Sequence, residues 1–242
     1  MDTSGESTLS IVLFLVVLAA GLQSAFRLPV VNRKFPIVAL ILTVLIGVPS
    51  LLQFAFPQIT DVLARRPDLE LEGQWWRVVT AVAAQDGGLV GAIFNLVVLA
   101  VVTTLGERAW GRWRMLVLFL VPSIVLNLLA IFWNAPGGGS SFASDGLLLS
   151  MCALGILGSS GGRVSRQWIF VFGAVVPLTA AIVLVIANDA HGVAMLIGAG
   201  LGASYWVSRR ASARDELPTN AGLDARNPAV LGNSPERRGA GG

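Results

Sequence analysis

The sequence predicts an all-α membrane protein with seven transmembrane helices, and three observations carry that prediction. Of 242 residues, 55% are hydrophobic and only 13% charged, where a soluble domain carries about 25% charged residues. The mean hydropathy is +0.74, and the apolar residues gather in runs close to the ~20 needed to cross a bilayer core. The basic residues fall in short groups between those runs rather than in one patch. That pattern excludes a nucleic-acid-binding protein despite an isoelectric point near 10.0. A single cysteine leaves no internal disulfide framework, and a single histidine leaves no histidine-built metal cage.

The spans are expected near residues 9–26, 36–56, 87–106, 115–133, 144–158, 168–187 and 191–207. Asp2 and Glu6 stand where a signal peptide would need positive charge, so the first run reads as a retained helix. Orientation follows from the arginines and lysines of the loops. Fourteen of the seventeen fall on one side, leaving only Arg65, Arg66 and Arg77 opposite. The N-terminus is therefore expected outside and the C-terminus in the cytoplasm, with the plasma (cytoplasmic) membrane as the expected location. Residues 57–86 form a long outer loop, of a length that is usually functional or carries its own structure. Residues 208–242, rich in Gly, Pro, Asn and charge, read as a disordered cytoplasmic tail.

Polar groups within spans are costly, so each calls for a reason. Asn95 sits inside the third span and suits a helix–helix hydrogen bond. Glu107, at the cytoplasmic end of that span, reads by itself as a solvated helix-end charge. Ser144 and Asp145 open the fifth span after a glycine-rich loop, where either residue suits a helix N-cap. His191 opens the last span from the same outer side, with Ala194, Gly198 and Gly202 on its helix face. Small residues at this spacing let helix backbones approach closely. A hydroxyl and an imidazole at matching depth could therefore meet. Trp75 and Trp76 suit an interface anchor, and Cys152 reads as apolar filler.

Together these residues resemble the rhomboid family of intramembrane serine proteases. Trp76-Arg77 in Gly73–Thr80 is similar to the family's Trp-Arg signature, and Glu107 with Gly111 matches its E-x-x-x-G. His191, Ala194 and Gly198 resemble H-x-x-G-x-x-x-G, with alanine at the first glycine. The resemblance implies a six-helix core over 36–207, with residues 1–35 adding an extra N-terminal helix and a cytoplasmic loop. It implies a Ser144/His191 dyad, oxyanion binding by Asn95, and no metal or cofactor. It implies membrane-protein substrates within a lipid bilayer, cut near its outer face.

Two departures accompany the likeness. The family nucleophile lies in G-x-S-G, and the gapless match is Ala143-Ser144-Asp145-Gly146, with Asp145 at the nucleophile position. Ser144 takes that position if Asp145 is a one-residue insertion. The family also carries an oxyanion-binding histidine four residues before the asparagine, where this chain has Gly91. A proteolytically inactive protein that binds transmembrane helices, with Asp145 paired to His191, is the competing expectation. A small permease is weaker, because no chain of intramembrane charges marks an ion path.

Overall fold

The computed structural model describes residues 4–28, 30–132, 136–158, 173 and 175–215, and among these the structure is all helix and turn. The long helices are α1 (Ser4–Arg27), α2 (Ile37–Leu52), α6 (Gly88–Trp110), α7 (Arg112–Phe132), α8 (Ser141–Gly158), α9 (Val176–Ile186) and α10 (Ala190–Asp215). Between α2 and α6 the outer loop folds into three short helices, α3 (Gln58–Leu63), α4 (Pro67–Leu71) and α5 (Arg77–Thr80), followed by a 3₁₀ turn at Ala81–Ala83. The loop carries its own structure, as its length implied. Most of the expected 168–187 span ahead of α9 and the tail beyond Asp215 lie outside the described residues. The chain divides into a unit Met1–Trp206, to which the packing below belongs, and a unit beginning at Val207 whose described part continues α10.

Helices α6, α7 and Ala190–Ala211 of α10 are long and apolar enough to cross a membrane by themselves, and the other four are shorter apolar helices. Their outward residues explain why such a chain needs lipid. Leu45, Val90, Val97 and Phe132 are exposed, a pattern that aqueous solvent would penalise and acyl chains accommodate.

Helix α8 is the axis of the packing. Its Leu147, Leu148, Leu149 and Met151 are completely buried, and it packs against α1, α6 and α7. Close approach is made by small residues. A Cβ on Gly21 of α1 would overlap Leu148, and one on Gly146 of α8 would overlap Pro122 of α7. A Cβ on Gly198 of α10 would overlap the Gly146 carbonyl. The small-residue face of the last span is thus spent against α8, as its spacing indicated. Trp110, the last residue of α6, donates its indole N–H to Ser150 Oγ at 3.1 Å.

One sequence expectation is corrected here. Glu107 is not a solvated end charge; its side chain is fully buried. Its Oε2 accepts the Ala39 backbone N–H of α2 at 2.8 Å, and its Oε1 pairs with Arg112 Nε at 3.3 Å. The segment before α2 folds back over the end of α6, with the N–H groups of Val31 and Asn32 bonded to the Arg108 carbonyl. That contact excludes water from a carboxylate that an isolated helix would expose. Gly111, at φ +80°, lets the chain reverse directly into α7.

Candidate functional site

The site is built where the loop between α2 and α6 meets the start of α8. Arg65 and Gly137 exchange backbone hydrogen bonds in both directions, at 2.8 and 3.2 Å. The Gly139 N–H donates to the Ala81 carbonyl at 2.9 Å, and the Gly138 N–H to Asp86 Oδ2 at 3.3 Å. Glycine is required for two reasons. Gly139 has φ +150°, a conformation that side chains rarely adopt. A Cβ on Gly138 would come within 2.7 Å of Ala84 Cβ and 2.8 Å of the Ala81 carbonyl. The loop is therefore pinned, and helix α8 begins directly after it, at Ser141.

His191 is the second residue of α10. Its Nε2 lies 3.0 Å from Ser141 Oγ. Its Nδ1 lies 2.6 Å from Asp189 Oδ1, the same oxygen that accepts the His191 backbone N–H at 2.9 Å. Phe142 packs its ring against the imidazole at a centroid distance of 4.7 Å, and the Arg65 guanidinium carbon lies over the Phe142 ring, 6.0 Å from its centroid. The imidazole is about one-third exposed. A hydroxyl, an imidazole and a carboxylate thus follow one another through the two ring nitrogens.

Ser144 and Asp145 sit deeper on the same helix. Ser144 Oγ and both Asp145 carboxylate oxygens are buried, and none has a hydrogen-bond partner among the described residues. The residue bonded to the histidine is Ser141, three positions before Ser144. The physical reason is where the helix starts: the pinned glycine loop ends at Ser140, so the first turn, not the second, faces the start of α10.

Asn95 of α6 is half-buried and donates from Nδ2 to Gln85 Oε1 at 2.9 Å. Gln85 is held in turn by Gln53, whose Oε1 accepts the Gln85 N–H at 3.1 Å and whose Nε2 donates to the Gln85 carbonyl at 2.8 Å. A Cβ built on Gly139 would lie 3.8 Å from Gln85 Oε1 and 3.6 Å from Ser141 Oγ. Asn95 and Gln85 thus lie near the glycine loop that leads into Ser141. Gly91, one turn earlier on α6, has nothing within 4 Å of an added Cβ.

A comparison with models of protein families matches the Rhomboid domain over residues 72–208. The chain belongs to the rhomboid family. It is an integral membrane protein of a family of intramembrane proteases that act on membrane-protein substrates. No curated protein matches the chain.

The rhomboid signature residues occupy structural posts. Arg77 is buried, with Nε donating to Gln74 Oε1 and Nη1 to the Ala64 carbonyl, each at 2.8 Å. Trp76 is half-exposed and its Nε1 reaches the Val62 carbonyl at 3.4 Å. Glu107 and Gly111 organise the junction of the start of α2, the end of α6 and the start of α7, and Gly198 sets the α8–α10 contact. Among residues that sequence reasoning passed over, Ser141 had a signal: Gly139-Ser140-Ser141 supplies G-x-S, with Phe142 where the rhomboid motif has its second glycine. Asp189 had a weaker one, an acidic residue just ahead of the last helix. Gln85 had none, since its partners lie 10 to 35 positions away.

Proposed function

We propose that the protein is a rhomboid-type serine endopeptidase that cleaves transmembrane helices near the outer membrane face, with Ser141 as nucleophile and His191 as general base. The observation that carries this reading is the 3.0 Å contact between Ser141 Oγ and His191 Nε2, within the reach a nucleophile–base pair needs. The nucleophile in this reading lies one turn before Ser144.

Ser141 Oγ attacks the scissile carbonyl carbon while its proton passes to His191 Nε2. The tetrahedral oxyanion is met by backbone N–H groups at the start of α8, favoured by the helix dipole. The second Nδ2 hydrogen of Asn95 supplies a further donor. Collapse breaks the C–N bond, and the Nε2 proton goes to the leaving amine. Water admitted beside the part-exposed imidazole, deprotonated by His191, then hydrolyses the acyl-enzyme. Turnover is slow, because a missing oxyanion donor such as the one Gly91 lacks costs about 10²–10³ in rate. The 14-to-3 loop distribution of basic residues supports an outside N-terminus and a cytoplasmic C-terminus, and in that orientation Ser141 and His191 belong to the outer side of the membrane.

One observation favours a second reading, a helix-binding rhomboid without protease activity. Asp145 holds the nucleophile position in the gapless register and is completely buried, and Gly91 is then no loss. Cleavage of a helix-destabilised transmembrane reporter in liposomes separates the two. The protease reading expects slow cleavage by wild type and none by Ser141→Ala or His191→Ala, since nucleophile and base act as a unit. Intact reporter with wild type would favour the second reading.

A further inference from the structure

We propose that Asp189 is a positioning residue for His191, so that this rhomboid works with a Ser141–His191–Asp189 triad rather than a serine–histidine pair alone. The inference rests on the reading of Ser141 and His191 as nucleophile and base, and extends it by one side chain.

The backbone sets the carboxylate in place before any catalysis. Helix α9 ends with Asn188 in the left-handed region, at φ +59°, and the Asp189 N–H returns to the Leu184 carbonyl at 2.8 Å. Asp189 then stands at the cap position of α10. Its Oδ1 accepts the His191 backbone N–H at 2.9 Å, and the Gly192 N–H reaches the Asp189 carbonyl at 3.2 Å. A carboxylate anchored this way cannot swing far. The 2.6 Å contact from the same Oδ1 to His191 Nδ1 is in the range of charge-assisted bonds.

The chemical consequence concerns the tautomer. A carboxylate only accepts, so the imidazole must carry its proton on Nδ1. That leaves the Nε2 lone pair aimed at the Ser141 hydroxyl, the state a general base needs. When Nε2 takes the serine proton, the resulting imidazolium is compensated by a carboxylate already in contact. A residue serving only as a helix cap would need none of this. Serine or asparagine at position 189 caps α10 equally well.

That difference supplies the test. Asp189→Ser and Asp189→Asn keep a cap and remove the anionic acceptor. His191 is the sole histidine, so ¹⁵N-imidazole resonances of the labelled protein in micelles report on this ring without assignment. At a pH where the ring is neutral, wild type is expected to carry its proton on Nδ1, and Asp189→Ser to lose that preference. Thermal midpoints of the two variants are expected to stay near wild type. In the liposome assay kcat is expected to fall by roughly 10⁴ with KM little changed, the effect of an equivalent substitution in a serine protease of another fold, and Asp189→Glu is expected to recover part of it. Wild-type protonation on Nε2, or an Asp189→Ser variant with unchanged tautomer and kcat, would overturn the inference. Cleavage that survives Ser141→Ala would instead overturn the underlying function while leaving the tautomer result to decide the role of Asp189.

Discussion

Replacing Arg77 by alanine removes two hydrogen bonds from the interior of the outer loop, to Gln74 Oε1 and to the Ala64 carbonyl. The guanidinium is only 4% exposed, so water cannot simply take its place at either acceptor. Bonds of this charged type contribute about 1.5–3 kcal/mol each. Because the two share one side chain and do not add fully, about 3 kcal/mol is the expected loss. For a chain of this size that corresponds to a midpoint about 6–12 °C lower. Cys152 is free and 2% exposed, so a thiol-reactive fluorophore in detergent reads unfolding at a single internal site. Arg77→Lys keeps a charge but cannot serve both acceptors in the same fork, and is expected to recover less than half of the loss. A midpoint for Arg77→Ala within about 1 °C of wild type, where the lost bonds predict several times that, would refute the stabilising role.

Three further outcomes follow from the same geometry. Glu70 of α4 is buried, and burial raises its pKa against the opposing pull of the Arg66 backbone N–H and of the Arg65 and Arg77 charges. The folded state then holds the proton more tightly than the unfolded one, so stability is full below the ordinary glutamate range and declines as pH rises through the raised value. Thermal midpoints measured across that range are expected to fall for wild type and to stay flatter for Glu70→Gln; parallel curves would contradict this. Gly198→Val drives a side chain into the Gly146 carbonyl and is expected to cost at least ~1–3 kcal/mol, visible as a lower midpoint or failure to accumulate; a wild-type midpoint would contradict the α8–α10 contact. In a Cys152→Ala background, an impermeant thiol reagent on intact cells is expected to label Ser4→Cys and not Ser212→Cys, and the reverse would overturn the orientation.

The membrane class, the small-residue face of the last helix and the place of His191 at the start of that helix were legible because they depend on composition and on helical spacing. The residue that meets the histidine was harder to read. Ser144 and Asp145 are good caps, and capping preference placed the helix start at Ser144. The helix starts at Ser141 because Arg65, Ala81 and Asp86 pin the preceding glycines, and those partners lie 52 or more residues away. Glu107 shows the same limit. A charge at a helix end reads as solvated until residues 31–39 are seen to cover it. Asp189 lay in plain view two positions before the histidine, but only the left-handed turn at Asn188 brings its carboxylate back to Nδ1.

The most direct test of the account is covalent. A fluorophosphonate probe reacts with a serine whose hydroxyl is activated by a neighbouring base, and peptide mapping locates the adduct. The Ser141–His191 contact predicts a phosphonylated Ser141 in wild type, and loss of labelling in His191→Ala. An adduct on Ser144, or labelling of Ser141 that persists without His191, would contradict it.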